Sequence, residues 1–178
     1  MGFIDIIKDV ANEVYTCYDN NEWNKAESIL LDNLKLFPNE WWILTCLSQV
    51  NKSKRNYKIA YDYAKQAFEI NSEDHICVYE YAESLLRNDE TEKAISLLRK
   101  ILRKGLNKIA YGKYGDGLML GKSKINDSVA LLGYAYFDLK DNKKARYYFR
   151  RHLKNRRRGI YSDFTKKQIE KALEKCEW

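Results

Sequence analysis

The stretch YKIAYDYAKQAF, residues 57–68, decides the fold. Tyr57, Ala60, Tyr61, Ala64, Ala67 and Phe68 fall at i, i+3, i+4, i+7, i+10 and i+11, one stripe of an α-helix. The stripe mixes sizes. Alanines let a second helix approach at the short end of the roughly 8–10 Å interaxial range, and the rings fill the space beside them. One helix cannot shelter such a stripe alone.

The alanine recurs. Ala26 in WNKAESILL and Ala94 in TEKAISLLRKI each lie 34 residues from Ala60, and Ala145 in NKKARYYF lies 51 beyond Ala94, one period plus 17. Each is preceded by another apolar segment: VANEVYTCYDN, LTCLSQVNKSK, VYEYAESLLRND and VALLGYAYFDLKDN. Turn and cap residues punctuate the pattern at DNNEW 19–23, PNE 38–40, RNDE 87–90 and DN 141–142. Four helical hairpins are expected, at about 5–37, 39–71, 73–105 and 125–155. A hairpin that cannot bury its own stripe stacks on the next, which predicts a solenoid.

Here the sequence resembles the tetratricopeptide repeat family over residues ~5–155, apart from an inserted segment. The last copy carries Leu132, Gly133, Tyr136, Ala145 and Phe149 at the family spacings. The second carries Leu44, Leu47, Ser48, Tyr57, Ala60, Ala64 and Ala67, and the third Tyr81, Ala82, Leu85 and Ala94. The first departs with Val14 at a normally small position, but keeps Trp23, Ala26 and Pro38. The resemblance implies an all-α, right-handed α-α superhelix, a single domain over 1–178. After the fourth hairpin, RRRGIYSDFTKKQIEKALEKC offers Gly159 as a helix stop and Ser162 as an N-cap. A capping helix over 161–176 is expected to cover the open end.

Composition agrees. One proline and eight glycines in 178 residues suit long helices, since each costs roughly 3 or 1 kcal/mol inside one. No apolar run approaches the roughly 20 residues that cross a bilayer. Asp5 and Asp9 stand where a signal peptide would be basic or apolar, so no membrane association and a cytoplasmic location are expected. The cysteines Cys17, Cys46, Cys77 and Cys176 are widely spaced without a CxxC pair and read as core thiols. Charge is lopsided. Residues 1–105 carry 14 Lys+Arg and 17 Asp+Glu, and residues 106–178 carry 18 and 8. Any electrostatic partner should meet the C-terminal part.

The insertion, 106–124, is expected to be a glycine-rich loop whose glycines make its turns, and it holds Gly121-Lys122-Ser123, the end of a phosphate-binding loop. Such a loop needs glycine five residues earlier, where Asp116 stands, and no strand precedes it. A nucleotide site is therefore not expected. Two readings of the segment stand. Leu118, Met119 and Leu120 plug a gap in the core, or Tyr111, Lys113, Tyr114 and Lys122 help bind a partner.

The resemblance also implies a concave face made by the first helix of each hairpin. Its inward positions include Tyr15, Trp42, Gln49, Tyr79, Glu83, Arg87, Tyr134 and Asp138. Rings of this kind are good anchors, and equally good packing between neighbouring helices. A separate basic run sets Arg146, Arg150, Lys154, Arg157 and Arg158 near i, i+3/4 spacing, widened by Arg151. It suits a solvated helix face, an acidic protein surface or nucleic-acid phosphate.

Only two histidines are present, His75 and His152, and no catalytic or metal-ligand spacing is seen. Neither an enzyme nor a cofactor or metal site is expected. A non-catalytic protein-binding module is the leading expectation, with a dedicated partner, as in bacterial immunity proteins that neutralise a toxin or secretion chaperones. Nucleic-acid binding through the basic C-terminal part is the alternative.

Overall fold

A computed structural model describes residues 3–115 and 117–176, with side chains from residue 7 onward. Asp116 lies outside the described residues. Among these the chain is all helical, in ten helices without a strand. It divides into two compact units, 1–72 and 73–178, where the repeat reading treats it as one.

The first unit holds two hairpins, α1 (Phe3–Asp19) with α2 (Trp23–Leu36) and α3 (Trp41–Ser53) with α4 (Tyr57–Ile70), and α2 packs on α3. Val10, Val14 and Cys17 of α1 meet Ala26 and Leu30 of α2 and Ile43, Cys46, Leu47 and Val50 of α3 in one apolar cluster. The small seam works as expected: Ala60, Ala64 and Ala67 are buried, and the Ser48 hydroxyl donates across it to the Ala60 carbonyl at 2.9 Å. Polar caps fix where helices start. The Glu40 carboxylate accepts from the Trp42 N–H that opens α3.

The second unit begins the same way, with α5 (His75–Leu86) and α6 (Thr91–Lys104). Then follow α7 (Leu106–Tyr111), α8 (Gly117–Asp138), α9 (Asn142–Arg157) and α10 (Lys166–Lys175). Helix α8 pairs with α9 and also packs on α5, α6 and α7, while α10 packs on α9.

The repeat reappears as backbone geometry. Among the described residues, Asn21, Arg55, Asp89 and Lys140 are the non-glycine residues with positive φ, at 57°, 64°, 59° and 61°. Each is the left-handed turn within a hairpin, and their spacings of 34, 34 and 51 copy those of the alanines. Each turn closes with the same hydrogen bond, from the N–H of Glu22, Asn56, Glu90 or Asp141 to the carbonyl five residues back, at 2.8, 2.8, 3.0 and 2.9 Å. That bond satisfies a helix-end carbonyl which would otherwise be orphaned.

Two expectations change. The segment 106–124 is not a loop: α7 and the first turns of α8 occupy all but 112–116. Gly121-Lys122-Ser123 therefore lies inside a helix, and Gly121 is buried where α8 crosses α7, with the Ala110 Cβ 3.4 Å from where its own Cβ would stand. Glycine there permits close helix packing and makes no turn. The last helix starts at Lys166, capped by Thr165, whose hydroxyl accepts from the Gln168 N–H while the Gln168 side chain accepts from the Thr165 N–H. Ser162 is not its cap. The helix does cover α9: Ile169 and Cys176 are buried, and Arg146 donates to the Cys176 carbonyl at 2.8 Å.

Candidate functional site

In the first unit Tyr15 and Trp42 come together. Their rings meet edge-on at 6.2 Å and the Trp42 indole N–H donates to the Tyr15 hydroxyl at 3.3 Å. Tyr15 is 48% exposed and Trp42 half-buried, so the pair forms an aromatic surface between α1 and α3. Gln49 is half-buried on the same helix as Trp42.

The second unit treats its rings differently. Tyr79 is 3% exposed, with the Lys124 ammonium 4.3 Å above its ring, and burial pushes its phenol well up. The N-terminal turns of α8 supply Lys124, so the inserted segment covers a position that the repeat pattern leaves open. Tyr79 is consequently a core residue and not an accessible anchor. Tyr134 is half-buried between Phe149 and Phe164, at 5.0 and 5.8 Å. Tyr134 and Asp138 share a shallow groove of about 400 Å³ with Gln168, Lys171, Ala172 and Lys175 of α10. Glu83 and Arg87 form an i,i+4 ion pair at 3.2 Å.

Of the inserted-segment candidates, Tyr111, Lys113 and Lys122 are exposed, and Lys113 lies 5.0 Å over the half-buried Tyr114 ring. The core-plug reading fails. Leu118, Met119 and Leu120 are 41%, 76% and 54% exposed, because the segment is helical and its first turn projects from the unit.

The basic run splits in two. Lys143, Arg146, Tyr147, Arg150, Arg151 and Lys154 line an open groove of about 530 Å³ along α9. Tyr147, 60% exposed, was not singled out in the sequence, although its place four residues from Lys143 and from Arg151 puts it on that face. Arg157 and Arg158 are exposed, and Arg158 ends α9 and lines a different groove, with Leu118 and Met119 of α8.

A buried polar network also escaped sequence reading. The Ser162 hydroxyl donates to the Asp127 carboxylate at 2.5 Å and accepts from the Phe164 N–H at 3.1 Å. His152 Nε2 lies 2.9 Å from the same oxygen. The only serine proton points at Asp127, so the imidazole donates to Ser162. That wiring fastens the 158–165 strap to α8 and α9. Ser162 is 4% exposed and so out of reach of a substrate, and the wiring serves as a fastening. Asp127 and His152 are fully buried. Desolvation raises the Asp127 carboxyl to about 6 against the pull of Lys124, and desolvation with Arg156 nearby holds His152 down to about 4. No local spacing could reveal this network, since its members stand 25 and 10 residues apart.

Among the described residues no helix is long and apolar enough to cross a membrane, and no group of three or more His, Cys, Asp or Glu is placed to hold a metal ion. All four cysteines are buried free thiols.

No family model matches the sequence, and no curated protein matches it. Among solved structures, the crystal structure of MamA is similar, at 17% identity over 81% of this chain and 94% of that one, with a TM-score of 0.46. A likeness of that strength says nothing of what this chain binds.

Proposed function

We propose that this chain is a non-catalytic protein-binding module of the tetratricopeptide repeat type, which docks an acidic partner on its second unit. The α9 groove is the observation that carries the reading. Five arginine and lysine head groups around an exposed tyrosine suit a surface of carboxylates, and their alkyl stems offer apolar contact as well. The whole unit carries 24 Lys+Arg against 15 Asp+Glu, so it also steers an acidic partner from a distance. In the first unit the Tyr15–Trp42 pair is a second contact of the kind that anchors interfaces.

The finer reading is a single dedicated partner, such as a toxin domain that the protein neutralises or a secreted client that it chaperones. It rests on architectural analogy alone. Capture from the native host tests the proposal. Immobilised wild-type chain should retain an acidic protein that a Lys143→Glu/Arg150→Glu/Lys154→Glu variant loses. Equal retention by a well-folded variant removes the α9 face from the account.

The same cations favour a second reading, nucleic-acid phosphate. Among the described residues Tyr147 is the one ring lining that groove, however, and single strands are held by successive stacking platforms. Retention on RNA at physiological salt, weakening steeply as salt rises, would favour this second reading over the first.

A further inference from the structure

Leu118, Met119 and Leu120 do nothing for the folded core, yet they stand together on the first turn of α8. Clustered apolar exposure of this kind marks contact surfaces more than isolated exposed residues do. Leu118 and Met119 form one wall of a groove of about 370 Å³ whose other wall is Arg158, Gly159, Ile160 and Tyr161.

That second wall is held in place. Gly159 takes φ 79°, a left-handed turn that lets the chain reverse after α9. The Ile160 N–H donates to the Asn155 carbonyl and the Ile160 carbonyl accepts from Arg156, both at 3.2 Å. The Arg156 guanidinium lies 5.7 Å from the Tyr161 ring centroid, and the next residue is locked by the Ser162–Asp127 bond. Both walls are therefore formed before any partner arrives, which spares the ordering cost of binding. Methionine and tyrosine suit such a surface, one adaptable and the other broad and stiff.

Charge selects the occupant. Among the described residues, Lys122 and Arg158 line the groove and no carboxylate does. An apolar segment bearing lysines would be repelled, and one bearing carboxylates would be both attracted and oriented. We infer that this groove docks an acidic segment of a partner protein, which inserts about two bulky apolar side chains between the α8 turn and the 158–161 turn and sets its carboxylates against Lys122 and Arg158. The inference rests on the protein-binding reading above but uses a different surface from the α9 groove.

A phage-displayed library of random peptides about twelve residues long, selected on the full-length chain, tests it. Enriched peptides should pair bulky apolar residues with carboxylates. Their binding should fall at least about tenfold with Leu118→Ser/Met119→Ser and with Lys122→Glu/Arg158→Glu, and should survive Arg150→Glu/Lys154→Glu. The substituted side chains are exposed, so melting temperatures should stay near wild type and separate binding from folding. The inference is overturned by an absence of enriched peptides, by enrichment of basic ones, or by binding that persists in the Leu118/Met119 variant. Loss only with the Arg150/Lys154 variant overturns it too, while leaving the α9 proposal intact.

Discussion

The two units start from the same repeat and bury different things. In residues 1–72 the buried polar groups are neutral and mostly satisfied close at hand: Thr45 donates to the Trp41 carbonyl, Ser48 to the Ala60 carbonyl and Asn51 to the Leu47 carbonyl. Residues 73–178 bury an aspartate, a histidine and a serine in one network, bridging α8, α9 and the strap before α10. The regular hairpins of the first unit close by small-residue seams, left-handed turns and a few neutral hydrogen bonds. A hairpin enlarged by an insertion and finished by a strap needs specific polar fastening. The comparison also shows what insertion does to a repeat surface: Tyr15 and Trp42 stay accessible, while Tyr79 is covered by the lengthened α8.

The seam is common to both units, and breaking it should have the largest effect. A Cβ on Gly133 would stand 2.5 Å from the Phe149 ring, and Ala60 is 2% exposed against α3. Gly133→Leu and Ala60→Leu should each destabilise by about 3 kcal/mol or more through overpacking, read by chemical denaturation. A tolerated Leu at either site would mean that the seam is not closed there.

Titration should separate the units next. Asp127 is raised to about 6, so the folded chain holds its proton more tightly than the unfolded chain, and this group alone makes stability fall as pH rises from about 4 to about 6. His152 is held at about 4, and alone makes stability rise from about pH 4 to about 6.5. The slopes oppose one another. Relative to wild type, Asp127→Asn should gain stability across that window and His152→Gln should lose it, each by up to about 3 kcal/mol at 1.36 kcal/mol per pH unit. Parallel pH profiles for all three proteins would show that neither group titrates as its burial demands.

Removing the bridging hydroxyl is a smaller change. Ser162→Ala should cost about 2 kcal/mol, since it strips a partner from both buried groups. Amide exchange should quicken over 158–176, with protection in residues 7–70 unchanged. Uniform quickening across both units would contradict a local fastening.

The smallest effect on stability is expected at the surface. Tyr15→Ala and Arg150→Glu should each shift stability by less than about 1 kcal/mol, while Tyr79→Ala costs about 3 kcal/mol. Equal costs at Tyr15 and Tyr79 would erase the distinction drawn between exposed and covered rings.

Much of this was legible in the residues. The helical hairpins follow from stripes at helical period and from alanines 34 apart, because small residues are required wherever two helices approach closely. The inserted segment was misread because its glycines suggested turns. Gly117 opens α8 and Gly121 sits within it, and the space beside Ala110 explains a buried helical glycine only once α7 is seen. The basic face of α9 was visible as spacing. Its division was not, because Arg158 leaves the helix and faces Leu118 and Met119 across some 40 residues of sequence. Tyr79 was placed on the inward side of its helix, but nothing local tells that Lys124 lies over it.

The central claim is that an acidic protein docks on the basic second unit. Amide exchange of the chain, alone and with the partner captured from its host, tests this most directly. The account predicts added protection within 142–158, abolished by salt or by Arg150→Glu/Lys154→Glu, and within 117–122, abolished by Leu118→Ser/Met119→Ser. Protection confined to residues 7–70, with the second unit unchanged, would contradict it.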